Sequence, residues 1–188
     1  MPHAATRAAI AFALAALFTG MSPGAAAQAT APLQDQNGRA FGLQQFHGMP
    51  VVLTFVASHC VDACPIINAQ FQAMQTQLRR SGLRVHLLTL SLDPENDRAA
   101  DMQRIARTFS ADPRYWTVGS GSVQTGRALM RQFGVVANRG SRRYADIHTT
   151  YVYLLDRHGR LVKTILASSN LPADLFAELQ RTWNQLTA

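Results

Sequence analysis

PVVLTFVASHCVDACP, residues 50–65, carries the reading of this chain. Val51 to Val56 is an uninterrupted apolar run rich in β-branched residues, as expected of a strand covered on both faces. Cys60 follows almost at once, Cys64 comes four residues later, and Pro65 follows Cys64. From Pro65 onward Ile67, Phe71, Met74 and Leu78 repeat at helical spacing and mark one apolar helix face, which Ser81-Gly82 ends. The stretch therefore predicts a buried strand, a short loop with two thiols, and a helix.

Outward from that unit the alternation continues. Upstream, LQDQNGRAFGL (33–43) places Asn37-Gly38 between two short arms, a hairpin signal. Downstream, LRVHLLTLSL (83–92) predicts a second buried strand. A polar loop beginning DPEND leads to a helix with Met102, Ile105 and Phe109 on its inner face. YWTV (115–118) fits a short strand, and SVQTGRALMRQFG (122–134) a helix stopped by Gly134. TTYVYLLDRHGRLVKTIL (149–166) predicts two strands joined around His158-Gly159. LPADLFAELQRTWNQL (171–186) closes the chain as a helix with Leu175, Leu179, Trp183 and Leu186 facing inward and Pro172 in its first turn. A β-α-β unit followed by β-β-α is one α/β domain in the thioredoxin-like arrangement: a central mixed sheet flanked by helices, preceded here by an N-terminal β-hairpin.

Composition sets the compartment. The chain has 188 residues, 47% of them hydrophobic, enough for one domain with a real core. Residues 1–27 read as a signal peptide: Arg7 supplies a positive start, Ala8 to Phe18 a short apolar run, and GAAAQA a small-residue cleavage site after Ala27. The domain is then 28–188. The apolar run is shorter than a bilayer requires, so no stable membrane span is expected once the leader is cleaved. Export, to the periplasm in this reading, puts the two thiols in an oxidising compartment. The net charge of +7 falls to +6 without the leader, and Lys163 is the sole lysine. The arginines are scattered over a solvated surface and form no long run, which speaks against nucleic acid as a partner. A sharper alternative is that Arg139, Arg142 and Arg143 steer an acidic partner.

Ligands of open α/β sheets gather beyond the carboxyl ends of the parallel strands. Cys60, Cys64 and Asp93 all lie beyond such ends, and His148 joins them if the strand after it runs antiparallel. Residues i and i+4 share a helix face, so two sulfurs so spaced can clamp one soft metal ion or close a disulfide. A helix start also favours thiolate over thiol. A purely structural disulfide closing so short a loop contributes little chain entropy. His148 is favoured geometrically over His59, which adjoins Cys60. His86 is expected to pack in the core, and His47 and His158 to be solvated. Asp93 is either a turn or cap residue or an acceptor that orients a ligand.

Three segments, HCVDACP (59–65), LSLDPENDR (90–98) and IHTTYVYLLDRHGR (147–160), resemble the Sco/SenC family of copper-handling thioredoxin-like proteins, in the right order over roughly Leu33 to Leu186. The resemblance implies that Cys60, Cys64 and His148 are copper ligands and that Asp93 is the family's nearby acidic residue. It implies a metallochaperone for Cu(I) and Cu(II), serving the copper-site subunit of cytochrome c oxidase or another periplasmic copper or thiol client. The alternative is a thiol–disulfide oxidoreductase, with Cys60 as attacking and Cys64 as resolving thiol. Two features lean against a general oxidoreductase. The usual motif has one residue fewer between its thiols, and no proline occurs between Pro113 and Pro172 to precede the facing strand. A peroxidase of the same fold requires an arginine beside the thiolate, which nothing in the sequence fixes.

Overall fold

A computed structural model describes residues 32–137 and 150–188. The elements in chain order are β1 (Leu33–Asp35), β2 (Ala40–Phe41), a 3-10 turn (Leu43–Phe46), β3 (Val51–Val56), α1 (Ala63–Ser81), β4 (His86–Ser91) and α2 (Ala99–Thr108). They continue with β5 (Trp116–Ser120), α3 (Val123–Gln132), β6 (Tyr151–Leu155), β7 (Leu161–Leu166) and α4 (Leu171–Thr187). They build one seven-stranded sheet in the order β2-β1-β5-β4-β3-β6-β7. This is the expected mixed sheet flanked by helices.

The buried strands sit where the apolar runs put them. All six residues of β3 and all six of β4 are buried. Alternate residues of β3 feed two cores. Val52 and Val56 pack with Ile67, Phe71 and Met74 of α1, with Met102 of α2, and with Leu175 and Leu179 of α4. Leu53 and Phe55 pack on the other face with Leu129 of α3, with Phe133 that caps its end, and with Tyr153 of β6. Three helices thus cover one face and α3 the other, which is why β3 shows no polar alternation. Helix α1 ends at Gly82, whose φ of +69° gives the left-handed cap that a Cβ disfavours.

The predicted hairpins both form. β1 and β2 pair antiparallel around Asn37-Gly38, with Gly38 at φ +76°. β6 and β7 pair antiparallel around His158-Gly159. The first hairpin reaches the sheet edge through β5, with Gln34 opposite Ser120. There Gln36 acts as a strand residue made from a side chain. Its Nε2 donates to the carbonyl of Trp116 at 3.2 Å, and its Oε1 accepts the Val118 N–H at 3.0 Å.

Direction positions the site. β3, β4 and β5 are parallel, so their carboxyl ends share one rim. β6 runs antiparallel to β3, with Thr54 opposite Val152 and Val51 opposite Leu155, so it begins on that same rim. Helix α1 begins at Ala63 rather than at Pro65, so Cys64 belongs to its first turn. His148, Arg139, Arg142 and Arg143, and the leader expected over 1–27, lie outside the described residues. Among the described residues no helix is long and apolar enough to cross a membrane.

Candidate metal centre

The loop from Ala57 to Asp62 turns the chain from the buried end of β3 into α1. Asp62 is the N-cap but makes no side-chain capping bond. Sulfur takes over part of that role: the N–H of Cys64 donates to Sγ of Cys60 at 3.4 Å. Pro65 in the same turn has no N–H to satisfy. The two residues are in reduced form and unequally placed, Cys60 partly exposed and Cys64 buried.

Their acidities diverge for the same reason. The Cys60 thiol is lowered to about 6, first by the hydrogen bond from the Cys64 thiol and then by the N–H groups of Asp62, Cys64 and Ala63, against the opposing effect of burial. Cys64 is pushed up, first by its bond to Cys60, then by burial and by the negative charges of Cys60 and Asp97. At neutral pH the pair is one thiolate and one thiol that share a proton through their hydrogen bond. Val61 and Ile66, both strongly exposed, flank the pair with apolar surface.

Asp93 lies just beyond β4, as expected. It is buried, and its backbone N–H donates to Oγ of Ser91 at 3.0 Å. Its carbonyl accepts the N–H groups of Asn96 and Asp97 at 2.9 and 2.8 Å, and its carboxylate accepts Nδ2 of Asn96. These bonds serve the turn role. His59 is exposed beside the pair; its Nδ1 lies 2.9 Å from Oγ of Ser58 and 3.9 Å from Oδ1 of Asp97. His86 opens β4 at the opposite rim, buried, stacked on Phe46 at 4.5 Å and bonded to Oγ1 of Thr117 at 2.9 Å. It is a core histidine, as expected, and burial lowers its pKa to about 4. His47 and His158 are exposed.

Sequence reasoning passed over Asp97. Its side chain is fully buried, and Oδ1 accepts the Ser58 N–H at 3.1 Å while Oδ2 accepts the Ser91 hydroxyl at 2.6 Å. Burial raises its pKa, and the bonds from Ser58 and Ser91 oppose that rise. The sequence signal was a second acid four residues after Asp93 in a loop read as polar. Among the described residues no three His, Cys, Asp or Glu side chains gather as a metal site. Cys60 and Cys64 supply two donors.

The matches with known proteins cover this whole frame. The SCO1/SenC family model matches residues 21–184. An SCO1 protein homolog of Bacillus subtilis is 23% identical over 143 residues, covering 75% of this chain and 74% of that protein. The mitochondrial SCO2 homolog of Bos taurus is 31% identical over 133 residues, covering 68% of this chain; the chain spans about half, 49%, of that relative's length. Among solved structures, Bradyrhizobium japonicum ScoI with copper bound superposes with a TM-score of 0.68 at 26% identity, over 80% of this chain and 96% of that one. Yeast Sco1 with copper bound superposes at 0.66 and 19% identity, over 81% and 87%, which is a likeness of fold. BsSco, described as a member of the Sco family of cytochrome c oxidase assembly proteins, superposes at 0.68 and 21%, over 79% and 88%. With a matched segment that runs through both cysteines, the sheet and the last helix, this chain belongs to the SCO1/SenC family.

Proposed function

We propose that this protein is an exported copper metallochaperone that binds Cu(I) and Cu(II) through Cys60, Cys64 and His148. The observation that carries the reading is the sulfur pair at the N-terminus of α1, on the rim where β6 begins. Two soft sulfur donors suit Cu(I), and an added imidazole suits Cu(II). Support for His148 comes from chain connectivity. Thr150 directly precedes β6, whose carbonyl at Tyr151 accepts the Thr54 hydroxyl at 3.0 Å near the end of β3. His148 is two residues before Thr150, within about 7 Å of chain. Three protein donors at a rim leave a position for a ligand of the client, so copper passes by ligand exchange.

Relatives described with copper bound, and as cytochrome c oxidase assembly proteins, support copper as cargo and the copper-site subunit of that oxidase, or another periplasmic copper or thiol client, as receiver. In this reading residues 1–27 are the export leader, 28–188 the working domain, and the periplasm its location. Asp93 is assigned the family's acidic position near the ligands.

A second reading has its own observation. The partly exposed Cys60, held as thiolate, and the buried, protonated Cys64 are the unequal pair that disulfide reduction uses. Cys60 attacks a client disulfide and expels one client thiolate. Cys64, losing its proton, then attacks Cys60, releases the second client thiolate and leaves the Cys60–Cys64 disulfide.

Copper titration of the reduced chain, wild type beside His148→Ala, tests the first reading through the visible sulfur-to-Cu(II) charge-transfer band. His148→Ala is expected to weaken Cu(II) far more than Cu(I), and Cys60→Ser or Cys64→Ser to abolish tight binding of both. Equal retention of both oxidation states in His148→Ala removes His148 from the ligand set. Disulfide exchange with a client left nearly intact in that variant, with little copper bound by wild type, makes reduction the main activity.

A further inference from the structure

We infer that Asp97 is the positioning residue of the sulfur pair: its buried carboxylate ties the loop carrying Cys60 to the end of β4 and so keeps Sγ of Cys60 on the first N–H groups of α1. The inference deepens the function proposed above and rests on it only where copper is concerned.

The tie is a chain of bonds between segments far apart in sequence. Oδ1 of Asp97 accepts the Ser58 N–H at 3.1 Å, two residues before Cys60. Oδ2 accepts the Ser91 hydroxyl at 2.6 Å, at the last residue of β4. Oγ of Ser91 accepts the Asp93 N–H at 3.0 Å, and the Asp93 carbonyl accepts the Asp97 N–H at 2.8 Å, which closes the ring. Around it the Leu92 N–H donates to the Val56 carbonyl at 2.9 Å and the Cys60 N–H to the Ala57 carbonyl at 3.2 Å. The thiol loop is therefore fixed at its first half by Asp97 and at its second half by α1.

The chemistry of the position argues against mere packing. A carboxylate with no exposed side-chain surface is costly unless hydrogen-bonded, and an apolar side chain serves a core better. Its ionic neighbour among the described residues is His59, at 3.9 Å, and its acidic neighbours are Asp93 and Cys64. What a carboxylate offers here is two acceptor atoms aimed in two directions, one at a backbone N–H and one at a hydroxyl.

The test uses the reduced, copper-free full chain and alkylation of Cys60 by iodoacetamide, with the site read by mass spectrometry. With the Cys60 thiol near pH 6, the rate at pH 6 is about half that at pH 8. In Asp97→Ala the sulfur drifts from its N–H donors and this ratio falls to about one tenth, a midpoint raised by about one unit. Asp97→Asn retains an acceptor for the Ser58 N–H and stays closer to wild type. Leu78→Ala, a core change about four helical turns along α1 from Cys64, lowers the melting temperature and leaves the ratio alone. A ratio unchanged or increased in Asp97→Ala overturns the inference, because loss of a nearby negative charge alone moves the thiol the other way. If Asp97→Ala does not fold, Ser91→Ala decides: it frees Oδ2, and a ratio equal to wild type overturns the inference. Copper affinity of Asp97→Ala is expected to fall tenfold or more. If wild type binds no copper, the proposed cargo fails while the alkylation ratios still decide the role of Asp97.

Discussion

The acidity of Cys60 is the most exposed consequence of the site's geometry. With its thiol near pH 6, Cys60 is about 90% thiolate at pH 7, about 50% at pH 6 and about 9% at pH 5. A free cysteine near 8.5 is only about 3% thiolate at pH 7 and about 0.3% at pH 6. Lower basicity also weakens the nucleophile: with a Brønsted slope of about 0.45, a drop of about 2.5 units costs roughly 13-fold per thiolate. The two effects nearly cancel at pH 7, leaving Cys60 about twofold faster than a free thiol, but they leave about a 12-fold advantage at pH 6. The shape of the profile is therefore diagnostic, and the rate at neutral pH is not. Reaction with a small disulfide reagent of pH-independent reactivity, followed by stopped-flow absorbance, is expected to plateau above pH 7 and fall about tenfold by pH 5. One thiol per chain reacts in the fast phase, because Cys64 is buried and protonated. The leading cause is the hydrogen bond from the Cys64 thiol. Cys64→Ala is thus expected to move the midpoint upward, while Cys64→Ser, which keeps a hydroxyl donor, holds it near the wild-type value. A midpoint in Cys64→Ala equal to wild type refutes the assignment of that bond.

Three further outcomes follow from other parts of the molecule. His86 is lowered to about 4 by burial, so the unfolded chain takes up a proton below its ordinary value near 6.5 while the folded chain refuses it. Its contribution to stability is complete above that value and is lost as pH falls towards 4, by about 3 kcal/mol, and urea unfolding of His86→Phe is expected to show a weaker loss over that interval. Gly126→Ala places a Cβ 2.7 Å from Cγ of Pro94, so α3 and the loop after β4 must part; thermal unfolding should register a loss of about 1–3 kcal/mol. Copper binding to the reduced chain at pH 8 is expected to release about one proton, from Cys64, since Cys60 is already ionised; calorimetry in buffers of different ionisation enthalpy counts it.

Much of the frame was legible because burial writes directly into sequence. β3 and β4 are central parallel strands, and Val51–Val56 and the run through Leu87, Leu88 and Leu90 show it without alternation. Turns were legible where glycine takes positive φ, at Gly38, Gly82 and Gly159. The start of α1 was misplaced by two residues because proline was taken as the boundary, whereas its first turn is organised by the Cys60 sulfur, a tertiary feature. The docking of β1 on β5 was not legible at all. It depends on Gln36, a polar residue whose buried side chain bonds across 80 positions to Trp116. Asp97 escaped for the same reason: a carboxylate in a polar loop looks solvated until its partners at Ser58 and Ser91 are known. His148 lies outside the described residues, so its assignment to the site stays a proposal, supported by the direction of β6.

The two cysteines also explain why spacing alone misleads about their use. An i, i+4 pair suggests two equal donors on a helix face. In this fold Cys60 stands outside α1 and caps it, whereas Cys64 is inside the first turn and packs in the core. One sulfur is thus stabilised as an anion by the N–H groups that the helix start leaves open, and the other is kept protonated by that anion, by burial and by Asp97. In the proposed function a soft cation replaces the shared proton and satisfies both sulfurs at once, which a second proton does not. In the second reading, disulfide reduction, the same inequality directs a client disulfide to Cys60 first. The two proposed readings therefore make opposite demands on the shared proton: copper held by both sulfurs needs Cys64 deprotonated while bound, and reduction needs it only after attack. A variant such as Cys64→Ser, which keeps the proton and discards the sulfur, separates them: the first attack by Cys60 survives, while tight copper binding and resolution are lost.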